Sequence, residues 1–132
     1  MRAIQLIEVG RPVEERQVDI TAPGPNDVVV EVRAAGICHS DVHYRSGPWS
    51  VDSFPMTLGH EVAGVVVETG SLVDAARVGE RVALHYQTSC GSCLWCSRGS
   101  EQFCRSGRML GKGIPGGYAE ALTLPSRNAF TL

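Results

Sequence analysis

Apolar positions in this chain come in short runs separated by glycine and proline, and no stretch sustains a helical period. Residues 3–9 and 14–20 read as two strands joined around Gly10, Arg11 and Pro12. Ala22-Pro23-Gly24-Pro25-Asn26-Asp27 is a strong turn signal, and the β-branched stretch 28–34 that follows alternates only in part. Further strands are expected over 62–69 between Gly59 and Gly70, over 81–85, and over 118–124 before Pro125. The single helix expected is short, residues 40–45, with Ser40 as its N-cap. Many short strands at such intervals favour a barrel or a sandwich. The chain is expected to be mainly β.

Composition narrows this reading without redirecting it. At 132 residues and 14.2 kDa the chain is one domain by size and long enough to bury a real core. Its 12 basic and 14 acidic side chains leave a net charge of −2, which gives no sign of a nucleic-acid surface. The longest apolar run, 62–67, is far too short for a membrane helix. Glu8 arrives before any signal-peptide apolar segment develops, so a reducing, cytoplasmic setting is the default expectation.

The strongest chemical signal is Cys90, Cys93, Cys96 and Cys104, in the order Cys-x-x-Cys-x-x-Cys-x7-Cys. Steps of this kind bring sulfurs together locally, as a tetrahedral metal ion requires. Two disulfides fit poorly, because the sulfurs come in successive close steps and Cys38 is left over. A ferredoxin-type cluster expects a three-residue closing gap and a proline, whereas seven residues separate Cys96 from Cys104 and Arg105 follows. A redox Cys-x-x-Cys needs only one pair. Structural zinc is the expectation, in a lobe spanning about residues 88–108, with every ligand position filled by protein. Gly91 and Gly99 free the loop to turn, and Arg98 and Arg105 flank it, either to offset thiolate charge or as ordinary solvated surface.

One motif is set aside. Residues 111–116 match G-x-G-x-x-G, but Pro115, Gly116 and Gly117 lead into a strand-like segment rather than a helix. The dinucleotide fingerprint works only where the glycines join a strand to a helix N-terminus.

A second constellation runs Cys38-His39-Ser40-Asp41-Val42-His43, followed by Gly59-His60-Glu61. Together these offer a thiolate, an imidazole and a carboxylate, a donor set suited to a metal with an open position. No spacing rule links position 38 to position 60. The residues alone therefore leave a metal site and ordinary packing both open.

These segments resemble the zinc-containing medium-chain alcohol dehydrogenases, specifically their GroES-like catalytic domain. Gly59-His60-Glu61-x-x-Gly64-x5-Gly70 is similar to that family's zinc signature, and Ala35-Gly36-Ile37-Cys38-His39-Ser40-Asp41 to its first-ligand segment. The Cys90–Cys104 run resembles its structural-zinc lobe, and Gly116-Gly117-Tyr118-Ala119-Glu120 the strand entry after it. The resemblance implies a GroES-like, partly open β-barrel with short helices, over residues 1–132. It implies that Cys38 and His60 bind a second, catalytic zinc, with Glu61 able to approach the metal. Asp41 would partner His60, Ser40 and His43 would relay the alcohol proton, and His39 would lie near cofactor phosphate. Trp49 and Tyr86 would line the substrate pocket, although plain packing explains them nearly as well.

The implied reaction is oxidation of a small-molecule alcohol or polyol with NAD or NADP, with no nucleic-acid or membrane partner and a homo-oligomer left open. Such enzymes carry a Rossmann domain and a further zinc ligand later in the chain. Residues 1–132 contain neither, so the expectation is a catalytic domain inactive by itself. The competing reading is a non-catalytic, stand-alone zinc-binding module. A pure binding module has no need of a proton relay, which favours the first.

Overall fold

The structure is a computed structural model that describes all of residues 1–132. Its strands are β1 (Arg2–Leu6), β2 (Glu14–Gln17), β3 (Asp27–Gly36), β4 (Met56–Thr57), β5 (Glu61–Thr69), β6 (Arg81–Leu84), β7 (Ala121–Pro125) and β8 (Ala129–Thr131). One helix, α1 (His39–Ser46), and four short 3-10 turns complete the chain. The strands form two open antiparallel sheets, ordered β2-β1-β4 and β7-β3-β5-β6-β8. The fold is mainly β.

Segment 118–120 stitches the two sheets together. The Tyr118 carbonyl accepts the Ile4 N–H at 2.7 Å, the Glu120 N–H donates to the Arg2 carbonyl at 3.1 Å, and the Glu120 carbonyl accepts the Val32 N–H at 3.0 Å. This commitment to β1 and β3 is why β7 begins at Ala121 and not at the expected position 118. β1 stops at Leu6 because residues 8–11 bend, with Gly10 at φ 82°. β2 ends at Gln17 because its partner runs out there: Gln17 pairs with Arg2, the first residue of β1. β4 and β8, of two and three residues, were not expected at all.

Two cores follow from the pattern. Along β5, Val62 and Val66 face inward beside Val28 and Val30 of β3, Val82 of β6, and Leu122 and Leu124 of β7, all buried with Leu110. Alternation is only partial in β3 because Val28, Val29 and Val30 are buried in succession, apolar surface lying on both faces. The smaller core, Leu6, Tyr44, Val51, Met56 and Leu58, seats α1 on the first sheet, and Tyr118 packs against it. Residues 111–116 form a turn that no helix follows. Gly116 and Gly117 donate to the carbonyls of Thr57 and Gly59, both at 2.8 Å, so this segment buttresses the chain just before His60.

Candidate metal centres

The four-cysteine loop leaves the five-stranded sheet after β6 and is pinned at its base. Thr88 N–H donates to the Arg108 carbonyl at 2.8 Å, and the Arg108 N–H returns to Thr88 Oγ1 at 3.1 Å. Gly91 and Gly99 take positive φ, 74° and 71°, which lets the chain double back between the cysteines. The sulfur separations are 3.5 Å for Cys93–Cys96, 4.0 Å for Cys90–Cys96 and 4.0 Å for Cys93–Cys104. A regular tetrahedron with metal–sulfur arms of about 2.3 Å has an edge of about 3.8 Å. These separations bracket it, and all five cysteines are free, so the disulfide reading fails. The cluster fits a structural zinc.

Backbone N–H groups point at its sulfurs. Cys93 N–H approaches Cys90 Sγ at 3.4 Å and Cys90 N–H approaches Cys104 Sγ at 3.3 Å. Donors from Ser92 and Cys93 stabilise the Cys90 thiolate and bring its pKa down to about 6. Burial instead pushes the Cys96 thiol up to about 11. Arg98 and Arg105 are exposed, and neither guanidinium makes a hydrogen bond or ion pair. The cation that does lie against the loop is Arg127, whose guanidinium occupies the space a side chain at Gly91 would need and reaches Glu101 at 3.4 Å. Sequence separation hid it.

The second centre is assembled by strand register. Gly36, the last residue of β3, pairs with Glu61, the first of β5, so the chain just beyond one strand meets the chain just before the other. Cys38 and His60 are thereby neighbours although far apart in sequence. Ligand atoms of Cys38, His60 and Glu61 all lie within 4.8 Å of one another. Gly36 makes room, since a Cβ there would fall on the Glu61 carboxylate.

Helix α1 organises the other candidates. Its N-cap is Cys38, not Ser40, with Asp41 at the third helical position taking the Cys38 N–H on Oδ2 at 3.0 Å. An acidic residue three positions after the cap completes a capping box whichever side chain caps, and cysteine is a poor sequence signal for that role. Ser40 instead lies at the second helical position, its Oγ 3.5 Å from Cys38 Sγ. His43 meets His39 edge-on, at 4.6 Å between ring centroids, and Trp49 at a tilt, at 4.5 Å. Tyr86 meets His60 edge-on at 6.1 Å. Trp49 and Tyr86 are 52% and 40% exposed.

Asp41 Oδ1 faces His60 Nδ1 at 3.7 Å, and both buried atoms lack a hydrogen-bond partner. A pair of complementary orphans on the far side of a would-be ligand is what a metal-binding histidine needs to fix its ring. Tyr118 joins them, its hydroxyl donating to Asp41 Oδ2 at 2.7 Å. Burial raises its pKa, and the bond to Asp41 raises it further, so the phenol keeps its proton. No sequence pattern marked Tyr118 as more than strand entry.

The alcohol dehydrogenase GroES-like domain family matches residues 24–132. The chain belongs to this family. It is 38% identical over 133 residues to a NAD-dependent alcohol dehydrogenase of Saccharolobus solfataricus, which covers 95% of this chain and 38% of the relative. Over 135 residues it is 37% identical to an L-threonine 3-dehydrogenase of Deinococcus radiodurans, covering 100% of the chain and 39% of the relative. The solved alcohol dehydrogenase of Aeropyrum pernix superposes with a TM-score of 0.93 at 33% identity, covering 100% of this chain and 40% of that one. The GroES-like domain thus spans under two fifths of the length of the relatives it matches.

Proposed function

We propose that this chain is the zinc-dependent catalytic domain of an NAD(P)-dependent alcohol dehydrogenase, which oxidises a small alcohol to an aldehyde or ketone. The observation that carries the reading is the convergence of Cys38, His60 and Glu61 within 4.8 Å, with the Ser40 hydroxyl 3.5 Å from the Cys38 sulfur. A thiolate, an imidazole and a carboxylate suit a zinc ion that keeps a position open for substrate. A zinc ion held there supplies Lewis acidity, lowering the pKa of an alcohol oxygen.

The chain's own groups do the rest. Ser40 accepts the hydroxyl proton, and His43, in contact with His39 and Trp49, passes it outward. His39 faces the cofactor's phosphates. Trp49 and Tyr86 present apolar faces that hold the alcohol's carbon skeleton and exclude water. The relatives include enzymes named for NAD and for threonine, so the substrate class proposed is a secondary or primary alcohol on a small polar carbon frame.

Metal counting tests this reading directly. Zinc-loaded wild-type chain is expected to retain more than one and up to two equivalents after dialysis, and Cys38→Ala about one, because the four-cysteine site needs nothing from position 38. Equal zinc content in wild type and Cys38→Ala would favour a single-metal binding module.

A further inference from the structure

Tyr118 lies outside both ligand sets, yet it is held more firmly than packing alone would require. Its backbone N–H donates to the Leu58 carbonyl at 2.9 Å and its carbonyl accepts from Ile4 at 2.7 Å, so the residue is fixed from both sides. Its ring lies against Gly59, where a Cβ would sit 2.5 Å from Cδ1 and 2.8 Å from Cε1. Gly59, at φ 93°, thus leads the chain into His60 and gives the Tyr118 ring its place.

The hydroxyl sits 2.7 Å from Asp41 Oδ2 and 3.1 Å from the Gly36 carbonyl. A phenol has one proton, and the shorter contact to the charged acceptor takes it. Asp41 Oδ2 also receives the Cys38 N–H at 3.0 Å. With two donors on Oδ2, the carboxylate cannot turn without breaking a bond, and its other oxygen stays pointed at His60 Nδ1, 3.7 Å away. That gap exceeds a hydrogen bond by roughly 0.7 Å. A small closure pairs the two orphaned atoms and leaves the other ring nitrogen as the metal donor.

We propose that Tyr118 is a positioning residue for the second metal centre: its hydroxyl orients Asp41, and Asp41 fixes the tautomer and ring orientation of His60. The inference rests on the proposed metal at Cys38, His60 and Glu61. It adds to that reading a residue about 60 positions downstream that touches no ligand atom.

The test uses the full chain and Co²⁺, with a competing chelator, because the two centres report separately. A tetrathiolate and a mixed cysteine–histidine–carboxylate site give different ligand-field spectra. Tyr118→Phe keeps the ring and removes only the oxygen. It is expected to weaken Co²⁺ at the mixed site about 10-fold and shift that spectrum, while the tetrathiolate titration stays unchanged. If Tyr118 acts through Asp41, Tyr118→Phe adds little to the loss caused by Asp41→Asn in the double variant. Unchanged affinity at the mixed site, equal weakening at both sites, or fully additive losses would each overturn the proposal. A wild-type chain that binds Co²⁺ only at the tetrathiolate would remove the second metal centre itself, and the inference with it.

Discussion

Stripping the metal from the four-cysteine site is expected to unfold residues 88–108 while both sheets stay folded. Between residues 89 and 108 the only buried side chains are Cys96 and Cys104. Leu94, Trp95 and Phe103, the large apolar groups of the loop, are 57%, 37% and 60% exposed. The Trp95–Phe103 contact, at 5.4 Å, sits on the outside. The loop therefore has no core of its own, and a structural zinc contributes on the order of 10 kcal/mol that nothing else replaces. The cores of the two sheets are built elsewhere, since no residue of the loop belongs to either buried cluster.

Limited proteolysis with and without chelator checks this, and Cys104→Ser should match the chelated protein. Cleavage should concentrate within the loop while the strand signal in circular dichroism persists. A loop equally resistant in both conditions would overturn the structural role of the metal. The pH dependence has a definite sign. Zinc displaces the thiol protons, and Cys96, pushed up to about 11, still carries its proton at neutral pH, so affinity rises with pH. Cys90, lowered to about 6, adds its own competing proton only below that value, so affinity should fall more steeply there.

The two centres were unequally legible for a physical reason. The four cysteines lie within one loop, and the spacing of Cys90, Cys93, Cys96 and Cys104 already dictates that their sulfurs converge. Cys38 and His60 meet only because Gly36 pairs with Glu61, and sheet register is set by the whole hydrophobic pattern together with its bulges. No local spacing encodes that. Tyr118 was harder still, because its place depends on hydrogen bonds to Ile4 and Leu58 from opposite parts of the chain. Arg127 reached the zinc loop in the same long-range way, while the nearer Arg98 and Arg105 remain in solvent. The short strands β4 and β8 are fixed by partners, Leu6 and Val82 among them, more than by their own residues.

Fused ahead of the C-terminal segment of the Saccharolobus solfataricus relative, this chain is expected to catalyse alcohol-dependent reduction of NAD; alone, it is expected to give none. Hydride transfer needs the nicotinamide held about 3–3.5 Å from the reacting carbon, which takes a built cofactor site. The one glycine-rich segment here, 111–116, is a turn whose last residue bonds the Thr57 carbonyl, with no helix N-terminus to hold pyrophosphate. In the fusion, His60→Ala removes the imidazole that converges with Cys38 and Glu61, and with it the Lewis acidity, worth several kcal/mol, of the zinc proposed there. The rate should fall about 1000-fold or more. On the proposed relay, Ser40→Ala should instead cost about 100-fold with metal content intact, because it removes the hydroxyl 3.5 Å from Cys38 Sγ that is proposed to take the alcohol proton, and no ligand. Cofactor absorbance and zinc analysis on the same samples separate the two effects. If His60→Ala keeps full turnover, the chemistry lies elsewhere; if the 132-residue chain turns over by itself, the cofactor binds to a surface of this domain that the glycine segment does not form.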